Sequence, residues 1–222
     1  MRVLVIDTAL GACTVGLCEN DRVLAQRSEV MARGHSERLG GFARDVVASA
    51  AVGFDSIDRI GVTVGPGSFT GLRVGLAFAL GLGQALGRPV IGLSSLHALA
   101  WTIEGGPHGP VAAAIDARRG EVYLQTWRDG EPLGPPEALT IETARERLSM
   151  TGLDWRWVGS GAALLAEVSA PTVTEPTVLA LASLTARLDP TGHPARPLYL
   201  RAPDATPPTR LPGQARPVAQ SG

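Results

Sequence analysis

The sequence predicts an α/β protein of two lobes, each built in the order strand-strand-strand-helix-strand-helix. Three observations carry that expectation. Residues 59–100 read as strand, tight loop, long apolar helix and strand. The pattern of an apolar strand ending Ile-Asp, a short glycine-containing turn and a further strand occurs twice, in VLVIDTALGACTVGL and in AAAIDARRGEVYLQTW. A glycine- and proline-rich stretch at 103–110 separates the two copies. The predicted organisation is a lobe at 1–103, a lobe at 110–201 and a disordered, proline-rich tail at 202–222. Two unrelated α/β halves remain the alternative.

In the first copy, residues 2–7, 12–19 and 22–30 read as a three-stranded meander. Gly34-His35-Ser36 opens a helix to about residue 51, with Leu39, Phe42, Val46 and Val47 at helical spacing. Ile60, Val62 and Val64 alternate with small residues, which suits a buried strand. Gly65-Pro66-Gly67 ends it, because Pro66 has no N–H. Ser68 is the expected N-cap of the next helix, and Gly87 and Pro89 stop it. Within that helix Gly71, Gly75, Ala79 and Gly83 recur every four residues. Interior glycine costs about 1 kcal/mol relative to alanine. The stripe therefore marks a close approach of another backbone, in the core or in a subunit interface. Arg73 and Gln84 bracket an apolar run shorter than the roughly 20 residues of a membrane span.

The second copy restarts at 111–116, with a third strand expected near 132–139. Helices follow at 141–148, 162–168 and 177–188, with a strand at 155–159 between the first two.

With 45% hydrophobic and 18% charged residues the 222-residue chain is globular. Its net charge is −1 and no Lys/Arg run stands out, so it lacks the basic face of a protein that grips a phosphate backbone unaided. Lysine is absent. Cys13 and Cys18, an odd spacing apart in one strand, point to opposite faces and are expected as packed thiols of a cytoplasmic protein without a signal peptide.

The chemistry-bearing candidates are few. Asp7 ends the first strand, where a capping role competes with anion chemistry. Thr8, Gly65, Gly67 and Ser68 are candidate anion or nucleotide contacts, since a helix N-terminus favours negative charge. The spacing is neither a Walker loop nor a dinucleotide fingerprint. His35 has no second histidine one turn on, so no paired metal ligands arise. A Ser68, His35 and Asp7 hydrolase set lacks any recognisable triad signature.

GPGSFTGLR at 65–73, His35-Ser36-x-x-Leu39, Ser94-Ser95-Leu96 and Asp116-Ala117-Arg118-x-Gly120-Glu121-Val122-Tyr123 stand in an order that resembles the TsaB family, paralogous to TsaD, over residues 3–201. The resemblance departs at His97, where many relatives carry an acid, and in the long tail. It implies the actin-like, sugar-kinase and Hsp70-ATPase fold with two duplicated lobes. It also implies a non-catalytic, cytoplasmic subunit with no metal and no cofactor of its own, with ATP or ADP at a subunit boundary. The metal-binding histidines of TsaD fall at Ser95 and Leu99, which cannot replace them.

The implied role is heterodimerisation with TsaD, joined by the ATPase TsaE, to install N6-threonylcarbamoyl on adenosine 37 of tRNAs reading ANN codons. The tRNA is reached only through the complex, and the chain alone forms a homodimer. The interface expected is a helical bundle using His35, Leu39, Phe42, Val46, Phe69, Gly71, Val74, Gly75, Phe78 and Leu82. The alternatives are a stand-alone ATP-dependent enzyme of the sugar-kinase type and a protease or hydrolase.

Overall fold

The computed structural model describes residues 1–31, 33–103, 106, 108–166 and 173–201. Strands β1 (Arg2–Asp7), β2 (Ala12–Glu19) and β3 (Arg22–Val30) form the expected antiparallel meander. Strands β4 (Arg59–Gly65) and β5 (Val90–Ser94) then add in parallel, giving the order β3-β2-β1-β4-β5. Successive side chains of β1 serve opposite layers, as strand geometry requires. Leu4 and Ile6 pack with helices α1 (His35–Ser49) and α2 (Phe69–Leu86). Val3 and Val5 pack with Leu181 and Leu184. Both faces are therefore covered, which explains the apolar RVLVID run.

The caps are those the sequence announces. The Ser68 hydroxyl accepts from Gly71 N at 3.2 Å, and Gly87 closes α2 in the left-handed conformation at φ 62°. Helix α3 (Ser95–Ala100) follows β5 directly, capped by Ser94.

The second sheet has the order β10-β6-β7-β8. Strand β6 (Pro110–Arg118) pairs antiparallel with β7 (Glu121–Arg128) and parallel with β10 (Arg156–Val158), so Ile115-Asp116 occupies the place of Ile6-Asp7. The third strand expected at 132–139 is instead two fragments, β8 (Glu131–Pro132) and β9 (Glu137–Thr140), both paired to β7. Pro132, Pro135 and Pro136 lack the N–H that a continuous ladder needs. Helices α4 (Ile141–Ser149) and α5 (Ala162–Leu165) cover one face through Ala144, Leu148 and Leu165. The helix expected at 162–168 is a single turn that ends at Leu165, with Ala166 extended at φ −99° and ψ 142°; residues 167 and 168, like the tail at 202–222, lie outside the described residues. The first helix ends at Ser49 and not near 51, with Ala51 at φ 55°.

The two halves exchange a helix. Leu96, Leu99 and Ala100 of α3 pack on Val111, Ala113 and Trp127 of the second sheet. Helix α6 (Val178–Arg187), late in the chain, covers the first sheet. It sits close enough that a Cβ on Gly16 would lie 2.3 Å from Val178, and one on Gly61 1.9 Å from the Thr185 hydroxyl. Those two strand glycines exist for this approach. Cys13 and Cys18 are free and buried in opposite layers.

Candidate functional site

Two places on this scaffold gather the candidate residues: a cleft between the lobes, and the outer face of α1 and α2.

The cleft has a volume of about 560 Å³. Its walls are the 9–11 turn, Gly67 and Ser68 on one side and 116–118, Tyr123 and Ser160 on the other, with Glu175 between. Of the five residues expected to touch an anion, Gly67 and Ser68 line it. Asp7, Thr8 and Gly65 are buried away from it. Asp7 Oδ1 accepts from Ala9 N at 2.9 Å and from the Thr63 hydroxyl at 2.7 Å. It caps its own turn, and desolvation raises its pKa above the ordinary carboxylate value. The Thr8 hydroxyl is committed to the Gly71 carbonyl at 2.8 Å. Gly65 is packed under Leu72 and the Leu198 carbonyl. All three are therefore corrected as anion contacts at the cleft.

Glu175 changes the chemistry of the turn. Its Oε1 lies 2.7 Å from where a Cβ on Gly11 would stand, and it accepts from the Gly11 N–H. Burial, then the charge of Asp7, raise its pKa. The amide that could reach a phosphate already holds a carboxylate. The hydrolase set does not assemble either. Ser68 is bonded to Gly71 N and Asp7 to Ala9 and Thr63, while His35 Nε2 is buried without a hydrogen-bond partner among the described residues. Among the described residues no three His, Cys, Asp or Glu side chains gather as metal ligands. Ser95 and Leu99 are fully buried in α3.

Helices α1 and α2 pack side by side on the first sheet. Six of the ten residues expected at a partner interface are buried in this chain's own interior: His35, Leu39, Phe42, Val46, Gly71 and Gly75. The glycine stripe faces inward, since a Cβ on Gly71 would lie 2.0 Å from the Thr8 carbonyl and one on Gly75 2.3 Å from the Thr8 hydroxyl. The close approach is that of the β1–β2 turn. The partner-facing assignment of the stripe is corrected accordingly. Val74, Phe78 and Leu82 are half-buried at the seam, and Phe69 is 47% exposed.

The outward face consists of residues the sequence reading passed over. On α2 Leu80 is 47% exposed and Ala77 and Gly81 are exposed, and on α1 Gly40, Arg44 and Ala48 are exposed. Among the described residues nothing lies within 4 Å of a Cβ on Gly41 or Gly81, and a Cβ on Gly40 meets only Phe78, at 3.8 Å. The adjacent pair Gly40-Gly41 inside a helix was the available signal, since interior helix glycines without a packing reason are costly. By length and composition α2 could cross a membrane, but its inward residues are packed in the first-sheet core.

Similarity to known proteins places this two-lobed α/β scaffold with the threonylcarbamoyltransferase family and its relatives. The profile described as "TsaD: tRNA N6-adenosine threonylcarbamoyltransferase" matches residues 23–183. The chain is 36% identical over 169 residues to the Escherichia coli tRNA threonylcarbamoyladenosine biosynthesis protein TsaB, covering 72% of each. It is 39% identical over 220 residues to an uncharacterised Mycobacterium tuberculosis protein, covering 92% of this chain and 94% of that one. The solved structure of YeaZ from Pseudomonas aeruginosa superposes with a TM-score of 0.72 at 30% identity, covering 90% of this chain and 99% of the other. The chain belongs to the TsaB family.

Proposed function

We propose that this chain works in tRNA threonylcarbamoyladenosine biosynthesis as a non-catalytic subunit that docks on TsaD through the outer face of α1 and α2. The E. coli relative named for that biosynthesis supports the process. The observation that carries the docking role is the outward face itself. Among the described residues Gly41 and Gly81 present bare backbone to open space, and Leu80 and Phe69 are exposed on α2. Each interior glycine costs a helix about 1 kcal/mol, and among the described residues no contact offsets it at Gly41 or Gly81. A second helix pair laid across the face would gain close backbone approach. In this reading TsaE joins the pair, tRNA is met only through the assembly, ATP or ADP binds at a subunit boundary, and the same face closes a homodimer when the chain is alone. The transfer chemistry belongs to the partner, because here the first-turn acid is capped and buried away from the cleft and Glu175 sits against the turn.

Light scattering after size exclusion tests this with the chain alone and mixed with the TsaD of the same organism. A homodimer replaced by a heteromer is expected. A chain that ignores TsaD would sink the reading.

A further inference from the structure

The segment after α6 does not simply end the chain; it laces the lobes together. The His193 carbonyl accepts from Gly92 N at 2.9 Å, and Pro194 bridges Ile91 on the free edge of β5. Gly92 is glycine because a Cβ there would stand 2.5 Å from the Pro194 carbonyl. Leu198 N then donates to the Val64 carbonyl at 2.7 Å, with its side chain in the first-lobe core. The next three residues divide between the lobes, Tyr199 to the first and Leu200 and Arg201 to the second. Tyr199 packs on Phe69 of α2 at 5.4 Å between ring centroids, and its hydroxyl accepts from Arg73 Nε at 3.4 Å. Arg73 itself lies 3.7 Å over the Phe69 ring. Leu200 packs into the second-lobe core with Ile115. Arg201 donates to the Ala117 carbonyl at 3.1 Å and pairs with Glu121.

Arg201 thus clasps both flanks of the β6–β7 turn. That turn carries three consecutive left-handed residues, Arg118 at φ 62°, Arg119 at φ 57° and Gly120 at φ 77°. Two non-glycine residues in that region are strained, and such a turn persists only where its surroundings hold it. The same turn forms one wall of the cleft through Asp116 and Arg118. Contacts from Tyr199 and Arg201, two residues apart, therefore join the first turn of α2 to the cleft wall of the second lobe.

We propose that residues 194–201 are a strap that couples the β6–β7 turn at the cleft to the N-terminal end of α2. The two move as one unit, with Tyr199 as the link on the α2 side and Arg201 as the link on the cleft side. Anything that displaces the β6–β7 turn loosens the Phe69, Arg73 and Tyr199 group. If the outer face of α2 docks a partner, that docking senses the cleft; this consequence rests on the function proposed above, whereas the coupling does not.

Amide exchange followed by mass spectrometry on the full chain, with no partner present, tests the coupling. Arg201→Ala removes both clasping contacts by truncating a partly buried side chain. It is expected to speed exchange about tenfold in peptides spanning 115–125 and also in those spanning 69–76. Tyr199→Ala cuts the link: with it in place, adding Arg201→Ala should change 115–125 but leave 69–76 where Tyr199→Ala alone put it. Acceleration of 115–125 without 69–76 in Arg201→Ala, no acceleration anywhere, or additive effects in the double variant would each overturn the proposal.

Discussion

Replacing single glycines of α2 by alanine should move stability in opposite directions according to the side of the helix they occupy. At Gly81 a Cβ meets nothing within 4 Å. Gly81→Ala therefore gains only the helix-propensity term, about 1 kcal/mol. For a chain of this size that is a rise of about 2–4 °C in Tm. At Gly71 a Cβ would stand 2.0 Å from the Thr8 carbonyl, a backbone atom held in the β1–β2 turn. That carbonyl cannot rotate away as a side-chain end would, so Gly71→Ala must shift either the helix or the turn. Overpacking of this kind costs about 1–3 kcal/mol, and moving the helix also disturbs the Thr8 bond to the Gly71 carbonyl at 2.8 Å. The assay is urea unfolding of the isolated chain, repeated at several protein concentrations so that self-association is separated from intrinsic stability. A midpoint raised by Gly81→Ala and lowered by Gly71→Ala is expected. The same sign for both would refute the assignment of inner and outer faces on which the docking reading depends.

Other consequences can be read in the same way. Asp7 holds its proton to higher pH in the folded chain than in the unfolded one, because burial raises its pKa. In the window above the ordinary carboxylate pKa the native state thus binds more protons, and stability falls as pH rises through it. Asp7→Asn keeps an oxygen for Ala9 N and the Thr63 hydroxyl, so the slope of unfolding free energy against pH should become shallower; an unchanged slope would remove Asp7 from the explanation. Burial pushes the Cys13 and Cys18 thiols up to about 11. At pH 8 their thiolate is then about a hundredfold scarcer than in an ordinary cysteine. Ellman's reagent should react with neither until denaturant is added, and rapid reaction of the native chain would contradict their packing. Gly92→Ala places a methyl against the Pro194 carbonyl. It should loosen the strap and make the 194–201 peptide exchange faster, while protection equal to that of the wild type would show the edge can yield.

Most of the local structure was legible because it rests on local chemistry. The Ser68 cap, the Gly87 stop, the paired Ile-Asp strand ends and the opposite-facing cysteines all depend on residues a few positions apart. Which side of α2 meets the core was not legible. A helix apolar nearly all round gives polarity nothing to arbitrate with, and the glycine stripe marks a close approach without naming the neighbour. Here the neighbour is Thr8, 63 residues earlier in the chain than Gly71. The exchange of α3 and α6 between sheets, and the strap contact from Arg73 to Tyr199, 126 residues apart, likewise leave no periodic trace. In hindsight Gly16 and Gly61 were the marks of α6, since glycine inside a buried strand signals something pressing on it.

The most direct test of the central claim is the dissociation constant between TsaD and a Leu80→Arg variant. Leu80 is exposed on the outer face, so the substitution should leave the circular dichroism and the unfolding midpoint unchanged. Burying an arginine in place of leucine against a docked partner is expected to cost about 2 kcal/mol or more, which corresponds to about a thirtyfold loss of affinity. Such a loss with the fold intact would place TsaD on the α1 and α2 face. Wild-type affinity in a folded Leu80→Arg chain would contradict the account and move the docking surface elsewhere.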